Sequence, residues 1–127
     1  MVVLLSKANY SSKEAIKNGD VVLTHNDSYN IDNFFDFLEK KRNSLRVVVY
    51  TDEGDPIITD LTYDQGDNIL FKIDNSKDRF SGSGGSKTGV CNNIIQQTNL
   101  NGVRYNLTDC SGFEDSIFLF LLENEEQ

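Results

Sequence analysis

His25, Asp27 and Ser28 lie within four positions of one another and include the single histidine of the chain. Their types are those of a general base, an orienting acid and a nucleophile. Chemistry of that kind needs the three groups to meet in space. Residues this close in a strand-to-helix loop commonly satisfy backbone groups and cap the coming helix instead. They are the catalytic candidates, and a small hydrolase or ligand binder using His25 is one reading of the chain. The expectation is that the protein is not an enzyme.

Other chemistry-bearing patterns fall short of known motifs. Lys87-Thr88 follows several glycines, but a phosphate-binding loop needs glycine directly before the lysine and again five residues earlier, where Ser86 and Ser81 stand. Acidic groups at Asp52, Glu53 and Asp55, at Asp64 and Asp67, and at Asp74 and Asp78 lack the twelve-residue spacing of a calcium loop. Two of them read as turn chemistry. Two cysteines and one distant histidine do not make four zinc ligands. No cofactor or metal is expected.

The cysteines carry the most specific signal. A hairpin loop over Asn99, Leu100, Asn101 and Gly102 pairs Thr98 with Val103 and, counting outward, Cys91 with Cys110. Residues directly opposed in a non-hydrogen-bonded antiparallel pair have Cα atoms about 4.5 Å apart, within disulfide reach. A loop shorter by one residue would break this register. A bridge there implies an oxidising compartment, extracellular or in the cell envelope; two free thiols in a cytoplasmic protein are the alternative.

The elements that must position these groups follow from periodicity. Ser11 with Glu14 forms a capping-box pattern, Tyr10 can staple onto Ala15, and Gly19 stops a helix of two turns at most. A strand follows over 20–24. Ile31, Phe34, Phe35 and Leu38 recur at helical spacing, with Lys40, Lys41 and Arg42 at the carboxyl end and Asn43 as the stop. The period then changes to two. Runs around 45–50, 57–63 and 69–73, separated by turn clusters, predict a three-strand meander. Residues 81–89 have the composition of a mobile loop. Ile117 to Leu122, apolar on both faces, predicts a central strand, and the acidic end at 123–127 should fray. Residues 1–9 read as an edge strand or the remnant of a leader. The expected fold is α+β over 1–127 as a single domain, a mainly antiparallel sheet of six to seven strands with two N-terminal helices, the second packed on one face.

Composition bounds the partners. At 127 residues, roughly two-thirds of the unfolded chain's surface can be buried, so a core forms without metals. Twenty acidic residues against twelve basic give a charge of −8, which repels nucleic acid and anionic membrane. The longest apolar run is far short of the roughly 18 residues of a membrane span. Tyr29, Tyr50, Tyr63, Arg79, Phe80 and Lys87 are the candidate binding residues for a protein partner.

The segment Tyr10 to Val22, the run Tyr50 to Ile57, the stretch Asp74 to Asp78 and the two cysteines together resemble a small domain-of-unknown-function family of Gram-positive, Bacillus-type bacteria. The resemblance spans roughly Tyr10 to Leu122. It implies an association with lipoprotein leaders and an envelope location, though Leu4-Leu5-Ser6-Lys7 lacks the cysteine of a lipobox. It brings no activity. The leading expectation is a non-enzymatic binding module of the bacterial envelope or secreted fraction. The alternative is a leaderless phage- or prophage-encoded acidic inhibitor of a host enzyme or defence protein.

Overall fold

The computed structural model describes residues 10–25, 27–76, 86–112 and 114–123. They form one eight-stranded sheet and two short helices. The strands are β1 (Val21–Leu23), β2 (Ser28–Tyr29), β3 (Ser44–Tyr50), β4 (Pro56–Asp64), β5 (Asn68–Asp74), β6 (Ser86–Asn99), β7 (Gly102–Cys110) and β8 (Ile117–Glu123). The helices are α1 (Ser12–Lys17) and α2 (Ile31–Leu38). In space the order is β2-β1-β3-β4-β5-β6-β7-β8.

The expected α+β architecture is therefore corrected. The helices contribute only six and eight residues, so the chain is mostly β. The sheet is mixed, because β1 runs parallel to β3 while every other neighbouring pair is antiparallel. The strand count exceeds six or seven partly because β2, only two residues long, lies below what periodicity can detect.

Alternation along the strands separates two faces. Val21, Leu23, Leu45, Val47 and Leu61 join the main core with Phe34 and Phe37 of α2. Val22, Val48 and Ile58 point the other way and are covered by Ala15 of α1, with Tyr10, Ile16 and Tyr50 around them. Phe34 meets Tyr105 of β7 and Phe120 of β8 edge-on at 4.8 and 4.9 Å, while α2 also touches β1 and β3. Strands from both ends of the order thus reach one helix. The sheet curls around α2.

Local chemistry fixes the helix ends. Ser11 accepts the Glu14 N–H, and Gly19 at φ +87 turns the chain into β1. Asn30, at φ 59, precedes α2 without capping it through its side chain; its amide donates to the Ile16 and Asp20 carbonyls, and Asn33 donates to Gly19. These bonds tie the α1–β1 turn to the start of α2. The buried face of α2 is Phe34 and Phe37, with Ile31 and Leu38 beside them, whereas Phe35 is part-exposed. The helix ends at Leu38 instead of running to Asn43, because Lys40 adopts φ 61.

The meander appears as β3, β4 and β5, closed across β3 and β4 by the opposed pair Arg46 and Asp60, bonded at 2.7 and 3.1 Å. The hairpin register is the one that counting gives: Thr98 faces Val103 and Cys91 faces Cys110. Asn99 and Gly102 also pair, so the loop is Leu100-Asn101 alone, with Asn99 Oδ1 accepting both Asn101 and Gly102 N–H groups. Cys91 and Cys110 are joined, with Cα atoms 3.9 Å apart, and both lie in the core. Asp109 at φ 57 changes the phase of alternation, so Cys110 and Leu107, three residues apart, both face inward.

Residues 86–89 belong to β6, paired with β5, and so are not part of a mobile loop; 81–85, like 1–9 and 124–127, lie outside the described residues. Glu123 closes β8. The largest departure concerns β8 itself, expected at the centre of the sheet and found at its margin, paired only with β7 among the described residues.

Candidate functional site

A cavity of about 750 Å³ opens where the two ends of the curled sheet face each other. One side is built by Leu23, Thr24, His25, Asp27 and Ser28 at the β1–β2 turn, Ile31 at the start of α2, and Val49 and Tyr50 at the end of β3. The other side is β8, through Phe118 and the run Phe120 to Glu123. Its volume falls in the range usual for ligand sites. Leu23, Ile31 and Val49 give the lining apolar surface, and its fixed charges, Asp27 and Glu123, are negative. His25 stands at the rim, largely exposed, with Nδ1 3.5 Å from Asp52 Oδ1.

The structure brings His25, Asp27 and Ser28 to this one cavity. It does not join them into a relay. His25 faces Asp52, and the Asp27 backbone N–H and carbonyl engage Thr24, closing the turn. The Asp27 carboxylate meets the Tyr29 hydroxyl at 3.5 Å, the limit of a hydrogen bond. Ser28 is exposed on β2, opposite Leu23. Turn closure is thus what the local sequence does there, as side-chain competition for backbone groups leads one to expect.

The candidate binding residues scatter. Tyr50 lines the cavity, and its hydroxyl donates to the Tyr10 carbonyl. Burial, with Tyr10 and Asp20 nearby, pushes the Tyr50 phenol up to about 12. Tyr29 lies beside the cavity on β2. Tyr63 stacks on Phe37 at 4.4 Å and donates to the Phe37 carbonyl at 2.9 Å, so it is a packing residue at a separate depression near Lys40. Lys87 sits opposite Ile73 on β6. Arg79 and Phe80 lie outside the described residues.

A second polar cluster lies under α1, where Tyr10 donates to Asp20 and Arg46 stands 5.6 Å from the Tyr10 ring. Burial raises the Asp20 carboxyl above its ordinary value. Asp20, Arg46 and Asp60 are mutually compensated, which makes the cluster a fastening between α1 and the sheet. Among the described residues, no group of three or more metal-ligating side chains converges.

Sequence reasoning missed the β8 side of the cavity. Phe118 is 44% exposed, and Arg104 lies over its ring at 4.4 Å. The signal was available in the apolar run from Ile117 to Leu122 ending on Glu123, but a strand apolar on both faces reads as central.

Comparison with known proteins places the chain in a family without assigned activity. A family model described as Domain of unknown function (DUF4362) matches residues 18–106, more than half of the chain, and the protein belongs to that family. The match ends before Cys110 and β8. No curated protein and no solved structure matches. Among the described residues, no helix is long and apolar enough to cross a membrane.

Proposed function

From membership of a family with no assigned activity, we propose that this protein is a non-enzymatic binding module that receives a protein partner in the cavity between β8 and the β1–β2 turn. The observation that carries the reading is β8 itself. A seven-residue strand, apolar on both faces, forms one wall of the cavity and leaves its outer margin unpaired among the described residues. Such a margin is costly to leave open to water and to other chains.

The compartment belongs to the same proposal. A disulfide buried in the core persists in an oxidising milieu, which supports the bacterial envelope or secreted fraction; the lipoprotein association rests on the family resemblance alone. An intracellular inhibitor would carry free thiols instead. Mass spectrometry after alkylation without reductant is the check: both cysteines unmodified is expected, and both alkylated in freshly lysed native cells would contradict the envelope reading.

The binding role is tested by partner capture from envelope extract with the wild-type protein and a Leu121→Lys variant, which places a charge on the cavity wall. A partner retained by the first and lost by the second, at unchanged melting temperature, is expected. Capture that is indifferent to the substitution would refute the role of the cavity.

The joint presence of His25, Asp27 and Ser28 on the same lining gives a hydrolase reading one observation in its favour. A His25→Ala variant that keeps full activity on any ester or peptide substrate found for the protein would remove it.

A further inference from the structure

We propose that the open margin of β8 takes an extended, cationic peptide segment as a ninth strand, laid along the cavity between β8 and β2. The inference rests on the binding role proposed above and specifies its partner and mode.

Three independent observations converge. β8 is apolar on both faces, as a strand at the centre of a sheet is, and among the described residues it pairs only with β7, its other side facing the cavity. Added pairing would satisfy the N–H and C=O groups of the margin that have no partner among the described residues, the means by which peptides extend sheets in strand-addition complexes. At about 3.3 Å per residue, the seven residues of β8 offer some 23 Å of ladder.

The shape of the opening selects a single strand over a folded partner edge. The β1–β2 turn and the end of β3 form the opposite wall, so a chain entering there must be thin. Charge selects its chemistry. The lining bears Asp27 and Glu123, His25 at the rim is paired with Asp52, and the whole chain carries −8. Lysine or arginine at alternate positions of the incoming strand would face these carboxylates while apolar residues meet Ile31, Val49 and Leu121. The net charge of −8 disfavours a second copy of this chain.

The test uses a capped seven-residue peptide alternating valine and lysine, its glutamate-for-lysine counterpart, and two isomers of the lysine peptide N-methylated at odd or at even positions. Binding is followed by amide shifts and hydrogen exchange in the full chain at low salt. Expected are shifts and slowed exchange within 117–123 and around 27–29, affinity for the lysine peptide about tenfold or more above the glutamate peptide, and an equal loss on methylation in one isomer. Equal binding of both methylated isomers and the parent would show charge attraction without a ladder, and would overturn the proposal. So would protection of β8 that grows with protein concentration, which marks a second copy, or peptide binding that requires removal of residues 1–9, which marks the chain's own segment. Should no peptide add to β8 while Leu121→Lys still abolishes partner capture, the binding role stands and strand addition falls. Should that variant keep its partner, the role beneath it falls first.

Discussion

The two margins of the sheet are made in opposite ways. β2 has two residues, Ser28 and Tyr29, both exposed, and is too short to template another strand. β8 has seven residues, two of them buried core residues and the rest part-exposed or exposed apolar positions ending on Glu123. Among the described residues one margin is blunted and the other is long and apolar, and the proposed association is assigned to the second. The two lie on opposite walls of a single cavity, so the contrast runs across that cavity.

The contrast can be broken most forcefully at β8. Phe120 is buried against Phe34 and Tyr105, and Phe120→Ala should lower unfolding free energy by about 3–5 kcal/mol in urea titration. Reduction of the Cys91–Cys110 bond, which spans 19 residues, should cost about 3 kcal/mol in the same assay, because the unfolded chain regains the freedom of that loop. Gly102→Ala should cost roughly 1–3 kcal/mol and selectively loosen β8: an added Cβ would stand 2.3 Å from the Leu122 carbonyl oxygen, at a φ of +151 that side chains rarely adopt. At the other margin, Tyr29→Ala should change stability by about 0.5 kcal/mol or less.

How much of this was legible in the sequence differs between the same two regions. The hairpin register and the facing of Cys91 and Cys110 follow from a loop signal and simple counting, because antiparallel pairing is rigid once the turn is set. The α2 signal at Ile31, Phe34 and Leu38 marks the covering helix but puts Phe35 inside and passes over Phe37; in the structure Phe37 is buried in a stack on Tyr63 of β4, while Phe35 sits part-exposed beside Tyr105 of β7. The position of β8 was not legible. Hydrophobicity reports that a strand is suited to neighbours on both sides, not whether the folded chain supplies both. The cavity joins residues about a hundred positions apart, and no local pattern connects His25 with Glu123. The parallel pairing of β1 with β3 likewise depends on a crossover through α2 that periodicity does not specify.

The smallest expected effect sharpens the description of the β3 wall. With the Tyr50 phenol pushed up to about 12, the folded state keeps a proton that the unfolded state releases near the ordinary value of about 10. Stability from this group is complete below the unfolded value and is lost as pH rises through the folded one. Melting temperature should therefore fall between pH 10 and 12, and Tyr50→Phe should flatten part of that fall; Tyr10, Tyr63 and Tyr105, also raised by burial, supply the remainder.

Residue-resolved amide exchange of the unliganded protein at 117–123 bears most directly on the openness of β8. An exposed margin predicts alternation, with amides directed at β7 protected and those directed into the cavity exchanging at rates near those of the free chain. Uniform protection along the strand would contradict it, since every N–H of β8 would then already have a partner.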